Sequence, residues 1–87
     1  MPRIKKAIQR MHIITQTIMN NPVTKEQIKE AVERRIGDKV CNSTIEKDLF
    51  ILKMEFDAPI ECNRSSKLYY YTEPYSFTAA MIAWMDV

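Results

Sequence analysis

The chain has 87 residues, 46% of them hydrophobic and 28% charged, with one glycine and four prolines. That length supports a single hydrophobic core, and that composition excludes a disordered or fibrous chain. Thirteen Lys and Arg against eleven acids leave a net charge of +2, too small for total charge to name a polyanionic partner, so the placement of the charges has to carry the argument.

From Arg3 to about Met19, the residues Ile4, Ala7, Ile8, Met11, Ile14 and Ile18 recur at three- and four-residue spacing, the pattern of one apolar stripe on a helix. Asn20, Asn21 and Pro22 end it, because proline disfavours helical backbone in the residue before it.

A second helix is predicted over Lys25 to Ile36. Thr24 and Gln27 have the spacing of a capping box, and Val23 with Ile28 that of a hydrophobic staple. Ile28, Ala31, Val32 and Ile36 form its buried stripe, and Gly37 stands where a left-handed residue usually closes a helix. A third helix starts near Asn42, turns Ile45, Leu49, Leu52 and Phe56 inward, and finishes before Pro59.

The period then changes. Ile60 to Asn63 and Leu68 to Thr72 are short runs of strand-favouring residues, separated by the polar tip Arg64, Ser65, Ser66 and Lys67, and they predict a β-hairpin. Helix, helix, turn, helix and then a hairpin with a basic tip is the element order of a winged helix-turn-helix, here expected over residues 1–73. Phe77, Ala80, Met81 and Trp84 predict a short apolar C-terminal helix within 74–87. This stripe needs a cover, supplied by the domain, by a second copy in a homodimer, or by a further domain to which the segment is the linker; the last is favoured. The expected fold class is therefore α+β, mainly α, with a three-helix core, a hairpin wing and a C-terminal helix.

No apolar run approaches the roughly 18 residues that span a bilayer, and MPRIKK leads into an amphipathic segment rather than the apolar core of a leader, so a cytoplasmic location is expected. Cys41 and Cys62 form no CxxC motif and have no neighbouring histidine, which predicts free thiols and no metal site. The single histidine, His12, at the edge of the first apolar stripe, reads as structural. With no nucleophile and base, no paired carboxylates and no ligand cluster, neither catalysis nor a cofactor is expected.

The basic residues fall into clusters that an interface could gather on one face: Arg3, Lys5, Lys6 and Arg10; Arg34, Arg35 and Lys39; Arg64 and Lys67. On the third helix a 100° step turns Ser43, Lys47, Phe50 and Met54 outward, polar in the first half and apolar in the second. The apolar half predicts a cover over Phe50, Ile51 and Met54. In a two-stranded hairpin, alternate members of the tyrosine run 69–71 are expected to pack on the helices.

Several of these residues also carry a family resemblance. Ser43 through Leu49, then Ala58, Pro59 and Ile60, then Tyr69, Tyr70, Tyr71, Thr72, Glu73 and Pro74, together with PVTKEQIKEAVE in the second helix, resemble the N-terminal module of bacterial WYL-domain transcriptional regulators, a DeoR-like helix-turn-helix. The resemblance covers nearly all of the chain up to Phe77. It implies double-stranded DNA as the partner, with a ligand-sensing WYL domain following in such regulators. No small-molecule ligand is expected on this module.

The chain departs from that family in three places. Cys41 stands where serine usually caps the third helix, so Asn42 or a shifted start is expected to cap it. Arginines common near Ser43 and at Lys47 are missing, and Leu68 replaces the glycine before the tyrosines, which predicts a wider wing turn. What the resemblance implies for contacts is base edges read by Ser43 and Lys47, a phosphate held by Asn42 or Thr44, and Glu46 accepting from a cytosine amine or steadying Lys47. Arg64 and Lys67 would reach backbone or minor groove, with Lys25 and Lys39 as further phosphate contacts. A winged helix serving instead as a protein-interaction or dimerisation module is the competing expectation, since fold does not dictate function.

Overall fold

The computed structural model describes residues 2–85, with side chains from Lys5 to Met85, so Ile4 of the first stripe and Arg3 of the first basic cluster lie outside the described side chains. Its elements are α1 (Pro2–Asn20), α2 (Lys25–Ile36), α3 (Asn42–Glu55), β1 (Ile60–Cys62), β2 (Tyr69–Tyr71) and α4 (Phe77–Met85). The chain is mainly helical, with one antiparallel hairpin, in the element order expected from the sequence.

The first helix is the one on which the others close: α1 touches α2, α3, β2 and α4. It is therefore buried over a broader arc than a single stripe, with Ile13 and Thr15 joining Met11, Ile14 and Ile18 in the interior. Ile28 and Val32 of α2, Ile45, Leu49 and Leu52 of α3, Ile60 of β1 and Phe77 of α4 complete one continuous core. Phe77 meets Phe56 edge to face at 5.2 Å between ring centres, so α4 returns to the domain that the first three helices build. Among the described residues, no helix is long and apolar enough to cross a membrane.

The boundaries of α2 follow its sequence signals closely. Thr24 Oγ1 accepts from the Gln27 amide at 3.2 Å while the Gln27 side chain accepts from the Thr24 amide at 2.9 Å, satisfying two backbone donors reciprocally. Gly37 takes the left-handed conformation at φ 81° and returns its N–H to the Glu33 carbonyl at 2.7 Å.

The start of α3 differs from expectation. Cys41 occupies the capping position with extended backbone at φ −76°, ψ 153°, but its thiol makes no cap bond. Asn42 does not substitute for it, because Asn42 is already the first helical residue. At the other end Asp57 takes a left-handed φ of 53°, and the Ala58 amide closes onto the Leu52 carbonyl at 3.0 Å.

The hairpin pairs Ile60 with Tyr71, Glu61 with Tyr70 and Cys62 with Tyr69. Alternation along β2 turns Tyr69 and Tyr71 toward the core and Tyr70 outward, as expected of the tyrosine run. Tyr71 then shares a hydrogen bond with buried Thr15 of α1 at 3.2 Å. One link was not legible beforehand: Val23 exchanges both backbone hydrogen bonds with Tyr69, at 3.1 and 2.6 Å, tying the entry to α2 to the hairpin.

Candidate nucleic-acid interface

The turn between the strands is built by Asn63. Its Oδ1 accepts from the amides of Ser65 and Ser66 at 2.9 and 3.0 Å, and its carbonyl accepts from the Lys67 amide at 2.7 Å. Lys67 takes the left-handed backbone at φ 62° that glycine usually supplies, and Leu68 resumes pairing. Arg64 and Lys67 are thereby held at an exposed, hydrogen-bonded tip.

That tip leans over the start of α2, because the Val23–Tyr69 pairing fixes the two together. Between them lies an open cleft of about 780 Å³, lined by Thr24, Lys25, Asn63, Arg64, Ser66 and Lys67 among others. Three of the basic residues expected to hold phosphates, Lys25, Arg64 and Lys67, therefore meet at one cleft. Lys39 does not join them. It is exposed in the turn after α2, at that helix's opposite end.

On α3 the exposed positions include Asn42, Ser43, Glu46, Lys47 and Phe50, while Thr44 is half-buried. The roll of the helix is set from its other side, where Asp48 is buried against Arg10 of α1. Arg10 is thus committed to the interior rather than to an outer basic face. The remaining basic residues do not gather as one face either: Lys6 and Arg35 line a separate cleft of about 500 Å³ between α1 and the end of α2. That cleft shares no lining residue with the one under the hairpin.

Glu46 does not steady Lys47. Its Oε2 accepts from Lys25 Nζ, and this bond raises the lysine's pKa above its ordinary 10.5. The pair joins the first half of α3 to the cleft and neutralises one of the cleft's cations. Tyr69, at the floor of the cleft, has its phenol pKa raised, chiefly by burial.

The apolar half of α3 is not covered as expected. Phe50 and Met54 remain 63% and 62% exposed. The reason is the path of α4, which packs on α1 and leaves beside α3 an apolar groove of about 260 Å³ lined by Ile51, Phe56, Met81, Trp84 and Met85 among others. Trp84 lies 5.5 Å from Phe56 yet stays half exposed. His12 is half-buried, with its ring 6.3 Å from Phe77. Cys41 and Cys62 are exposed free thiols.

Sequence reasoning missed Thr24 and Asn63 as parts of this surface. Asparagine two residues before a serine pair is a turn signal that could have identified the second. No family model, curated protein or solved structure matches the chain.

Proposed function

We propose that the chain is a winged helix-turn-helix domain that binds double-stranded DNA sequence-specifically as part of a transcriptional regulator. In this reading α3 enters the major groove N-terminus first, with Ser43 and Lys47 toward base edges, and the hairpin is the wing, with Arg64 and Lys67 on backbone or minor groove. The observation that carries it is the convergence of Lys25, Arg64 and Lys67 on one cleft beside the exposed polar half of α3. A polyanion placed there meets Arg64 and Lys67, unpaired among the described residues, Lys25 once Glu46 releases it, and a row of hydrogen-bonding side chains.

The test is selection of bound duplexes from genomic fragments, followed by titration of the best one against salt. With about four phosphates neutralised, the logarithm of the association constant falls with that of salt at a slope of about −3.6. Exchange of Lys47, Arg64 and Lys67 for glutamate abolishes binding. A slope near zero, or binding indifferent to the three exchanges, overturns the reading. Half-sites about 34–36 Å apart in the selected sequences would identify a two-fold dimer on the DNA.

A second reading, a protein-interaction or dimerisation module, is favoured by the apolar groove between α1, α3 and α4, by the exposed Trp84 and Met85 that line it, and by the exposed Ile82 on the same helix. Under that reading the three glutamate exchanges leave partner binding intact.

A further inference from the structure

Phe50 is a large aromatic residue standing 63% exposed in the middle of α3, on the same outward stripe as Ser43, Glu46 and Lys47. It is not a loose end of the fold, because the rest of its helix is well anchored: Ile45, Leu49 and Leu52 are buried on the opposite side. Lys47 and Lys53 flank it one turn to either side, both exposed, and neither takes part in an ion pair among the described residues. Glu46, the one acid on this stretch of the stripe, is already engaged by Lys25.

We infer that Phe50 is a specificity residue that reads the 5-methyl group of a thymine in the major groove. The inference rests on the proposed reading of α3 as the groove-entering helix and adds to it which base the apolar half of that helix selects. The chemistry is restrictive. The edges of the four base pairs present hydrogen-bond donors and acceptors in the major groove, and the thymine methyl is the apolar group among them, so a phenyl ring gains contact area there and nowhere else along the groove floor.

Charge decides between this occupant and a second copy of the chain. An apolar contact centred on Phe50 between two copies would gather four lysines, Lys47 and Lys53 from each, around one seam, with Glu46 of each copy already engaged by Lys25, and juxtaposed like charges oppose association. A duplex instead offers its methyl group between two rails of phosphate, which the same lysines favour. Along the helix Phe50 lies about 4.5 Å beyond Lys47, or about one base-pair rise, so the thymine belongs about one step from the base that Lys47 touches.

The experiment replaces each thymine of the selected duplex, one at a time, by deoxyuridine, which keeps every hydrogen-bonding group and removes only the methyl. With the unaltered chain, uracil at one position of the selected site is expected to weaken binding about fourfold, equivalent to about 0.8 kcal/mol, the value of one buried methylene-sized group. Phe50→Ala is expected to bind the thymine and uracil duplexes equally. Phe50→Leu restores part of the discrimination. Uracil tolerated at every position, or discrimination that survives in Phe50→Ala, overturns the inference while leaving DNA binding intact. So does a Phe50-dependent dimer in sedimentation with no uracil effect, which would assign the residue to a protein contact. A chain that selects no duplex fails the proposed function itself, and the inference falls with it. Because Phe50 buries little of its surface in the fold, its exchange leaves the melting temperature nearly unchanged, and the uracil scan requires no variant at all.

Discussion

Arg10 of α1 grips Asp48 of α3 with two nitrogens, Nε donating to Oδ2 at 2.6 Å and Nη2 to Oδ1 at 3.3 Å. The carboxylate is almost wholly buried and the guanidinium mostly so, with side-chain exposures of 2% and 20%. A fork of this kind fixes direction as well as distance. It therefore sets the roll of α3, turning Ser43 and Lys47 away from the core. Arg10→Ala leaves an unanswered buried carboxylate and is expected to cost about 3 kcal/mol in denaturant unfolding. The double exchange Arg10→Met, Asp48→Leu should recover most of that loss, because two apolar side chains remove the charge as well as its partner. A single variant as stable as the original chain would show that the pair does not anchor the helix.

Glu46 holds Lys25 at the edge of the hairpin cleft, so in the free chain one of the three cations gathered there is internally neutralised. A phosphate arriving at Lys25 must displace that carboxylate. Glu46→Gln is therefore expected to tighten duplex binding several-fold and to steepen the salt dependence by about 0.9, the increment for one additional phosphate contact. The pair is exposed, so thermal stability should hardly move. An unchanged slope with weaker binding would instead indicate that Glu46 accepts a hydrogen bond from a base.

Most of the secondary structure was legible because local chemistry and tertiary context agree. The Thr24–Gln27 box, Gly37 and the stripe from Ile45 to Leu52 each specify a helix boundary or face by themselves, and each is found as expected. Pairings between distant residues were not legible. Nothing in the sequence joins Arg10 to Asp48, Lys25 to Glu46 or Val23 to Tyr69, since such partners are chosen by how helices cross and where the hairpin docks. The same limit explains Phe50 and Met54. Their exposure depends on α4 packing along α1 rather than over the outward stripe of α3, a direction that periodicity does not encode. Of the residues expected at an interface, Lys25, Arg64 and Lys67 converge because the single Val23–Tyr69 pairing draws the hairpin toward α2, whereas Lys39 remains at the far end of that helix.

Tyr75 ties the segment before α4 to the end of α3, its hydroxyl donating to the Phe56 carbonyl at 2.7 Å and its ring stacked on Tyr71 at 5.5 Å. Burial, with smaller contributions from Tyr71 and Asp57, pushes its phenol up from 10.0 to about 12. Because the folded chain holds this proton more tightly than the unfolded chain does, the group's contribution to stability is complete below pH 10. It is lost as the pH rises from about 10 to about 12. Burial raises Tyr71 in the same direction. Stability measured by denaturant at pH 9 and pH 11 should therefore fall, and the fall should be smaller in Tyr75→Phe. Absorbance of the phenolate should show one tyrosine fewer titrating near pH 12 in that variant. An equal fall in both proteins would assign the alkaline loss to other groups.

Cys41 already has the backbone of a helix cap, with its carbonyl accepting from the amides of Thr44 and Ile45 at 3.1 and 3.3 Å, and lacks only a side chain that can accept as well. A thiol accepts weakly, so the first turn of α3 has no side-chain cap for its remaining amide donors. Cys41→Ser puts a hydroxyl within reach of the second or third helical amide without altering the turn that leads there. The expected gain is about 1 kcal/mol, and a domain of this size should melt roughly 4–8 °C higher. The same exchange stiffens the end of α3 that carries Asn42 and Ser43, so under the proposed function duplex dissociation should slow rather than association quicken. A melting temperature unchanged by Cys41→Ser would mean that the Ser43 amide gains nothing from a side-chain acceptor, and that the missing cap costs the fold nothing.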